Sequence, residues 1–559
     1  MSGIPDTIPG RPLAFESAAA SNGRVNNLPF PAAAAIAALH PVEVGVGPVT
    51  PAQLVDVARG GRRVVLSSDA LAEITRTRNV IDALAADTVP HYGISTGFGA
   101  LANKHIPAAR RAALQASLIR SHAAGSGAPV ETEVVRGMML LRLSTLCTGR
   151  TGVRQETAQA YAAMLNAAIT PVVPEYGSLG CSGDLAPLAA AALALMGEGQ
   201  VVGADGKVGP AAEALALAGL IPVVLAEKEG LALINGTDGM LGMLVMALAD
   251  ISELLDVADI SAAMSVEALL GTDRVFAADL QALRPQLGQA VSAARMTAAL
   301  AASPIVASHA GPGDTRVQDA YSLRCTPAVH GAARDTVAHA GRIADRELAA
   351  AIDNPVVLPD GRVESNGNFH GAPIAAVLDF LAISVADAAN IAERRTDRML
   401  DANRSHGLPP FLAYEVGVDS GHMIAQYTQA AIVAELKRLA VPASVDSIPS
   451  SAMQEDHVSL GWHGGRKLRR SVDGFRRVLA IELLTAARAL DFRSPLEPAF
   501  VTVAVRNLIR GVVEGPGPDR HLAPEIDAVV GLLESGQVSA TVVVALQNRP
   551  RTDLAEEFR

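Results

Sequence analysis

The stretch Gly177-Ser178-Leu179-Gly180-Cys181-Ser182-Gly183-Asp184-Leu185-Ala186-Pro187-Leu188 holds residue types that can react with their own backbone. On a tight turn the amide nitrogen of Gly183 can attack the carbonyl carbon of Cys181, and one water leaves. Ser182 then loses its β-hydroxyl as a second water, which yields a ring bearing an exocyclic methylene. Such a methylene is an electrophile that none of the ordinary side chains offers. Glycine at 183 lacks a Cβ, so its nitrogen can approach a neighbouring carbonyl in a compressed backbone. Serine at 182 brings the hydroxyl that elimination requires, and position 181 contributes only its carbonyl. Other chemistries fit less well. A G-x-S-x-G hydrolase elbow fails because Asp184 stands where its last glycine belongs. A phosphate-cradling loop lacks its lysine. For the tripeptide alone, the plain reading is a glycine turn opening a helix, with Asp184 near its N-terminus.

Further groups that could do chemistry are spread along the chain. Tyr92 opens a loop with glycines at 93, 97 and 99, and a tyrosine there is ordinarily a surface residue. His122 follows Ser121 in the segment 118–125, where a lone histidine is ordinarily structural. Asn235 precedes Gly236, the pattern of a helix cap in an Asn-Gly turn. Arg324 can hold a carboxylate by two parallel hydrogen bonds, with Gln318 and Tyr321 at helix-compatible offsets. Phe369, between Asn366 and Gly371, reads as core, and Met423 follows His422. Glu455 lies near His457 and His463, but no H-x-x-x-H pair or matching carboxylate spacing makes these a metal site.

The elements that must position these groups read as helical. The 559 residues are 50% apolar yet only 3% aromatic, a balance that favours alanine-rich helices over sandwiches or barrels. Helical patterns run through 130–168, 210–219, 240–270, 376–402, 420–439 and 465–490. In the last, Leu468, Val472, Phe475, Leu479, Leu483 and Ala486 line one face. A helix over 51–58, a β-like Val64-Val65-Leu66 and a helix capped by Ser68 or Asp69 come before them. Asp205-Gly206 and Asp360-Gly361, flanked by valines, predict small hairpins. Residues 1–48 lack a sustained period and read as a loosely ordered extension. The remainder divides into 49–235, a smaller α+β region carrying the reactive loop, a helical bundle over 236–510, and a helical region over 511–559.

The net charge of −11, with scattered basic residues, excludes a nucleic-acid binder. The basic run 466–470 reads as a solvated helix face. Three distant cysteines fit a reducing compartment, the N-terminus lacks a secretory leader, and the unbroken apolar run 185–196 is too short to cross a bilayer. These point to a cytoplasmic chain with no membrane partner.

The 177–188 string, together with the motifs around Tyr92, His122, Asn235, Arg324, Phe369, Met423 and Glu455, resembles the histidine and aromatic amino-acid ammonia-lyase family. The resemblance spans about residue 50 to beyond 490. It implies a mainly α, long-helix fold and a 4-methylideneimidazole-5-one group made from Cys181-Ser182-Gly183, with no external cofactor. It implies Tyr92 as the general base, Arg324 on the substrate carboxylate with Gln318 and Tyr321 beside it, and Asn235 and Phe369 near the prosthetic group. His122 and Glu455 would face a substrate imidazole, with Met423 also in the site, so L-histidine is the expected substrate and trans-urocanate the product. Addition of the substrate amine or of its imidazole to the methylene both remain open. Family members are typically homotetramers with shared sites. The chain departs from the usual pattern at Cys181, where alanine is commonest, and at Ala190.

Overall fold

A computed structural model describes residues 39–96, 106–311 and 317–549. At its N-terminal side β1 (Val42–Val44) pairs in parallel with β2 (Val64–Leu66), and α1 (Pro51–Ala58) and α2 (Ser68–Ala86) follow these strands in turn. α1 opens with Pro51 and a capping box between Thr50 and Gln53, which satisfies donors the first turn leaves free. β1 falls inside the stretch read from composition as an extension. Val42 and Val44 are buried, but three alternating residues are too few for a period to register. The cap of α2 is Ser67, whose side chain accepts from Ala70 N, in place of the expected Ser68 or Asp69.

Helices α3 (Ala108–His122), α4 (Thr132–Cys147), α5 (Gln155–Asn166), α6 (Leu185–Leu195), α7 (Ala211–Leu217) and α8 (Glu229–Ile234) build the rest of this region. Strands β3 (Ser126–Pro129) and β5 (Pro174–Tyr176) pair, and β4 (Thr170–Pro171) joins the predicted hairpin of β6 (Gln200–Val202) and β7 (Val208–Pro210). The second predicted hairpin is β8 (Val356–Val357) with β9 (Val363–Glu364). The pattern over 130–168 divides into α4 and α5, because Gly149 and Gly152 between them take φ of +65° and +74°.

The bundle contains α9 (Asp238–Ala268), α10 (Leu287–Leu300), α11 (Thr326–Leu348), α12 (Ala372–Leu400), α13 (Met423–Leu439) and α14 (Gly461–Asp491), and α15 (Phe500–Arg510), α16 (Leu522–Glu534) and α17 (Gln537–Asn548) close it. α9, α12 and α14 run in the same direction. At their starts Met240, Gly371 and Gly461 meet, since a Cβ on either glycine would lie within 3 Å of the Met240 sulfur. At their far ends Arg493, just past α14, donates to the carbonyls of Ala268 and Ser405. α11 runs the opposite way: Glu347 near its end accepts from Thr237 at the start of α9. α13 is likewise reversed, with Gln426 reaching Glu393 on α12 and Lys467 reaching Val441 O. Small residues along α9, α12 and α14 permit this close packing, and the stripe from Leu468 to Ala486 is wholly buried.

By length and composition α12 would suffice to cross a membrane, but it packs among α11, α13 and α14, and that burial accounts for its apolarity. The basic run 466–470 is no solvated face. Arg466 pairs with Glu131, Lys467 with Asp379, Arg469 with Glu133 and Asp250, and Arg470 with Glu175, tying α14 mainly to the α4 side. Deeper in, Arg395 of α12 donates through Nε to Glu482 Oε1 at 2.5 Å, with both side chains wholly buried. Arg395→Ala leaves that carboxylate charged and unpaired, so stability should fall by about 3–5 kcal/mol. A chemical-unfolding midpoint equal to that of the wild type would show the pair to be dispensable.

Candidate active site

Residues 177–184 leave β5 and turn into α6. Gly180 and Gly183 lie in the left-handed region, with φ of +66° and +78°. Gly183 is pressed against Gly236: a Cβ at 183 would lie 2.2 Å from the Gly236 oxygen, and Asp184 N donates to that oxygen at 2.8 Å. Gly236 has no more room, because its own Cβ would meet the Arg142 guanidinium at 1.8 Å. Arg142 is wholly buried, pairs with Asp238, and donates to the carbonyls of Ala232 and Asn235. This is the compressed glycine backbone that ring closure through Gly183 requires, so the residues present fit the five-membered prosthetic group.

Asp184 is the main residue the sequence reading left without a role. It sits at the cap position of α6 but makes no cap hydrogen bond. Its side chain instead accepts from Ser178 Oγ at 2.8 Å and from Met240 N at 2.9 Å, tying the loop to the first turn of α9. Burial pushes the Asp184 carboxyl up to about 7, against these hydrogen bonds.

Other helix starts converge on the loop. Gly371 N, before α12, and Ser459 Oγ, before α14, both donate to Gly180 O, at 3.2 and 2.8 Å. Leu460 N donates to Leu179 O at 2.9 Å. The first turns of α6, α9, α12 and α14 thus aim their positive ends at the Cys181-Ser182-Gly183 backbone, a field that favours negative charge developing there. Directly against the loop, Ser182 Oγ donates to Glu455 Oε1 at 3.0 Å and Cys181 Sγ to Glu455 Oε2 at 3.2 Å.

The remaining predicted site residues separate into two groups. Asn235 is buried beside Gly236, at the end of α8. Tyr92 is half-buried, and the adjoining Gly93 abuts Leu231 of α8. His122 ends α3, and Gly125 just beyond it abuts Tyr176 and Pro174 of β5, beside the loop. Its Nδ1 faces Leu118 O at 2.9 Å. A carbonyl only accepts, so Nδ1 is the donor in this contact. Phe369 is two residues before Gly371. These join Cys181, Ser182, Gly183 and Glu455 at one end of the bundle.

Gln318, Tyr321, Arg324 and Met423 lie at the other end. Asp319 accepts from Thr272 N, just past the end of α9. Met423 lines a cavity of about 420 Å³ with Asp397, Asp401 and Phe411, beyond the end of α12. The 31 residues of α9 rise ~45 Å, so one chain does not bring these four to Ser182. Tyr321 is 71% exposed, and the Arg324 guanidinium lies 4.7 Å over its ring. Residues 97–105 of the Tyr92 loop and Arg316 lie outside the described residues. Among the described residues no group of His, Cys, Asp and Glu side chains is arranged to hold a metal ion.

Residues 49–511 match the model of the aromatic amino acid lyase family. The chain belongs to that family. A histidine ammonia-lyase of Streptomyces coelicolor is 63% identical over 503 residues, covering 90% of this chain and 98% of the relative. Among solved structures, a histidine ammonia-lyase from Trypanosoma cruzi is similar at a TM-score of 0.84 and 40% identity, covering 90% of this chain and 96% of its own. A tyrosine aminomutase from Streptomyces globisporus is similar at 0.85 and 35% identity, covering 90% and 99%. The aromatic amino acid lyase fold is therefore compatible with more than one substrate, and the choice rests on side chains and on overall identity.

The raised Asp184 carboxyl has a consequence for stability. The folded state holds this proton more tightly than the unfolded chain, whose aspartates titrate near ~4. Its contribution is therefore fully present below ~4 and is lost as pH rises toward about 7. Asp184→Asn should flatten the fall in unfolding midpoint across that window. Parallel curves for the two proteins would contradict this assignment.

Proposed function

We propose that this enzyme eliminates ammonia from L-histidine without oxidation, giving trans-urocanate, with a 4-methylideneimidazole-5-one group formed from Cys181-Ser182-Gly183. The observation that carries the reading is the compression of Gly183 against Gly236, with Ser182 held by Glu455. The family membership and the high identity to histidine ammonia-lyases support it. The group, once formed, would supply the electrophile that eases loss of the poor amine leaving group from Cα together with the weakly acidic proton from Cβ.

The chain's own residues do the rest. Tyr92 removes the β-proton from its place beside α8. Glu455 offers a carboxylate oxygen and His122 a ring nitrogen, both of which can hydrogen-bond to a polar ring. A substrate imidazole carries a ring N–H for Glu455 and a second ring nitrogen for His122, whereas a phenyl ring offers no polar atom and a phenol offers only its single hydroxyl. Asn235 is held by Arg142 at the edge of the site. Arg324 grips the substrate carboxylate, with Gln318 and Tyr321 beside it.

Arg324 reaches Ser182 only if it comes from another copy of the chain. We therefore read the protein as a homotetramer with shared sites, in which the bundle of one copy runs antiparallel to that of the next. The exposure of Val317 and Tyr321, at 94% and 71%, supports this. Its three free cysteines suit the cytoplasm.

Purified protein incubated separately with L-histidine, L-phenylalanine and L-tyrosine should raise ultraviolet absorbance with histidine alone, and Ser182→Ala should abolish the rise. Turnover of an aromatic substrate alone would overturn the roles of His122 and Glu455. The shared site has its own test. Ser182→Ala and Arg324→Ala should each be inactive, yet regain activity when co-expressed, because mixed tetramers contain sites with both wild-type residues. Co-expressed variants that stay inactive would contradict sharing.

A further inference from the structure

Ring closure uses only the carbonyl of residue 181, so the Cys181 side chain is free for another task. It is 7% exposed, and its sulfur lies against Glu455. Burial, and then the Glu455 charge, push the thiol up to about 11. The sulfur therefore carries its proton at neutral pH and donates it in a hydrogen bond.

Glu455 is gripped unevenly. Oε2 accepts from Cys181 Sγ at 3.2 Å and from Ser450 Oγ at 2.9 Å, whereas Oε1 accepts from Ser182 Oγ at 3.0 Å. The backbones of Ser450 and Glu455 bond in both directions, Ser450 N to Glu455 O at 2.8 Å and Glu455 N to Ser450 O at 3.3 Å. Between them Ser451, Ala452 and Met453 take φ of +50°, +53° and +70°, with no glycine to relieve the strain. A turn this strained persists only where its surroundings over-determine it, and here it aims one side chain at the reactive loop.

We propose that Cys181 and Ser450 are positioning residues which hold Oε2 of Glu455, so that Oε1, released when Ser182 loses its hydroxyl, is presented to an N–H of the substrate. The serine hydroxyl of the uncyclised chain thus marks the place that a substrate donor later takes. The inference rests on the function proposed above, because it needs Ser182 to be dehydrated and Glu455 to face substrate.

Two measurements on the full-length protein test it. Infrared difference spectra, wild type minus Cys181→Ala, isolate the S–H stretching band of this thiol in a region otherwise nearly empty for proteins. The band should lie at a hydrogen-bonded frequency and move to that of a free thiol in Glu455→Ala. A band that Glu455→Ala leaves unmoved overturns the inference. In kinetics, the double variant Cys181→Ala, Ser450→Ala should lose roughly tenfold or more in kcat/KM for L-histidine. Cys181→Ser, which keeps a donor, should stay near wild type. Full activity in the double variant overturns the inference. So does failure of its 177–188 peptide to lose two waters, since the clamp would then act on ring formation. Wild-type protein that turns over no histidine removes the proposed function instead, and the infrared band still judges the contact.

Discussion

The close approach of Gly183 to Gly236 is the constraint on which the rest of the molecule depends. Neither position has room for a Cβ, and each is backed by a buried ionisable group: Asp184 beside the first, Arg142 against the second. Compression of this kind is unfavourable for an isolated turn, and surrounding structure must hold it. Here that structure is the bundle. Three long parallel helices, α9, α12 and α14, begin at the loop and are locked along their length by the buried Arg395–Glu482 pair and the alanine-rich core. Because they run parallel, their positive ends add at one place, where Ser182 and Glu455 meet.

The same parallel arrangement sets the residues around Arg324 far from Ser182 in one chain. Helices of about 30 residues put whatever follows their far ends ~45 Å from whatever precedes their starts. The groups suited to a carboxylate and the groups suited to an electrophile stand at opposite ends of one chain. Under the shared-site reading proposed above, an antiparallel partner would turn that separation into proximity.

Much of this was legible in the sequence where the determinants are local. The reactive loop declares itself because its chemistry lies in three adjacent residues. The stripe from Leu468 to Ala486 marked α14 because apolar residues recur there at spacings of three and four, even though Glu482 and Thr485 are buried among them. α11 escaped notice for the converse reason: its inward face carries His330 and Arg334, which join Asp259 and Ser292 in a buried polar network that interrupts the apolar period. The basic run of α14 looked solvated because its acidic partners lie from 88 to more than 300 residues away in the chain. Glu455 reaches Ser182 across 273 residues, and the turn that presents it contains no glycine, so only the family resemblance pointed to it. The two-ended layout of the site had no sequence signal, since spacing along a chain does not report the direction of its helices.

The most direct test follows the loop itself. Chain synthesised in a cell-free system, either allowed to fold or held in denaturant, can be digested and the 177–188 peptide weighed. If the fold drives ring closure, the peptide from folded chain is lighter by two waters and that from denatured chain is not. Equal masses from both would contradict the claim that packing of Gly183 on Gly236 makes the electrophile.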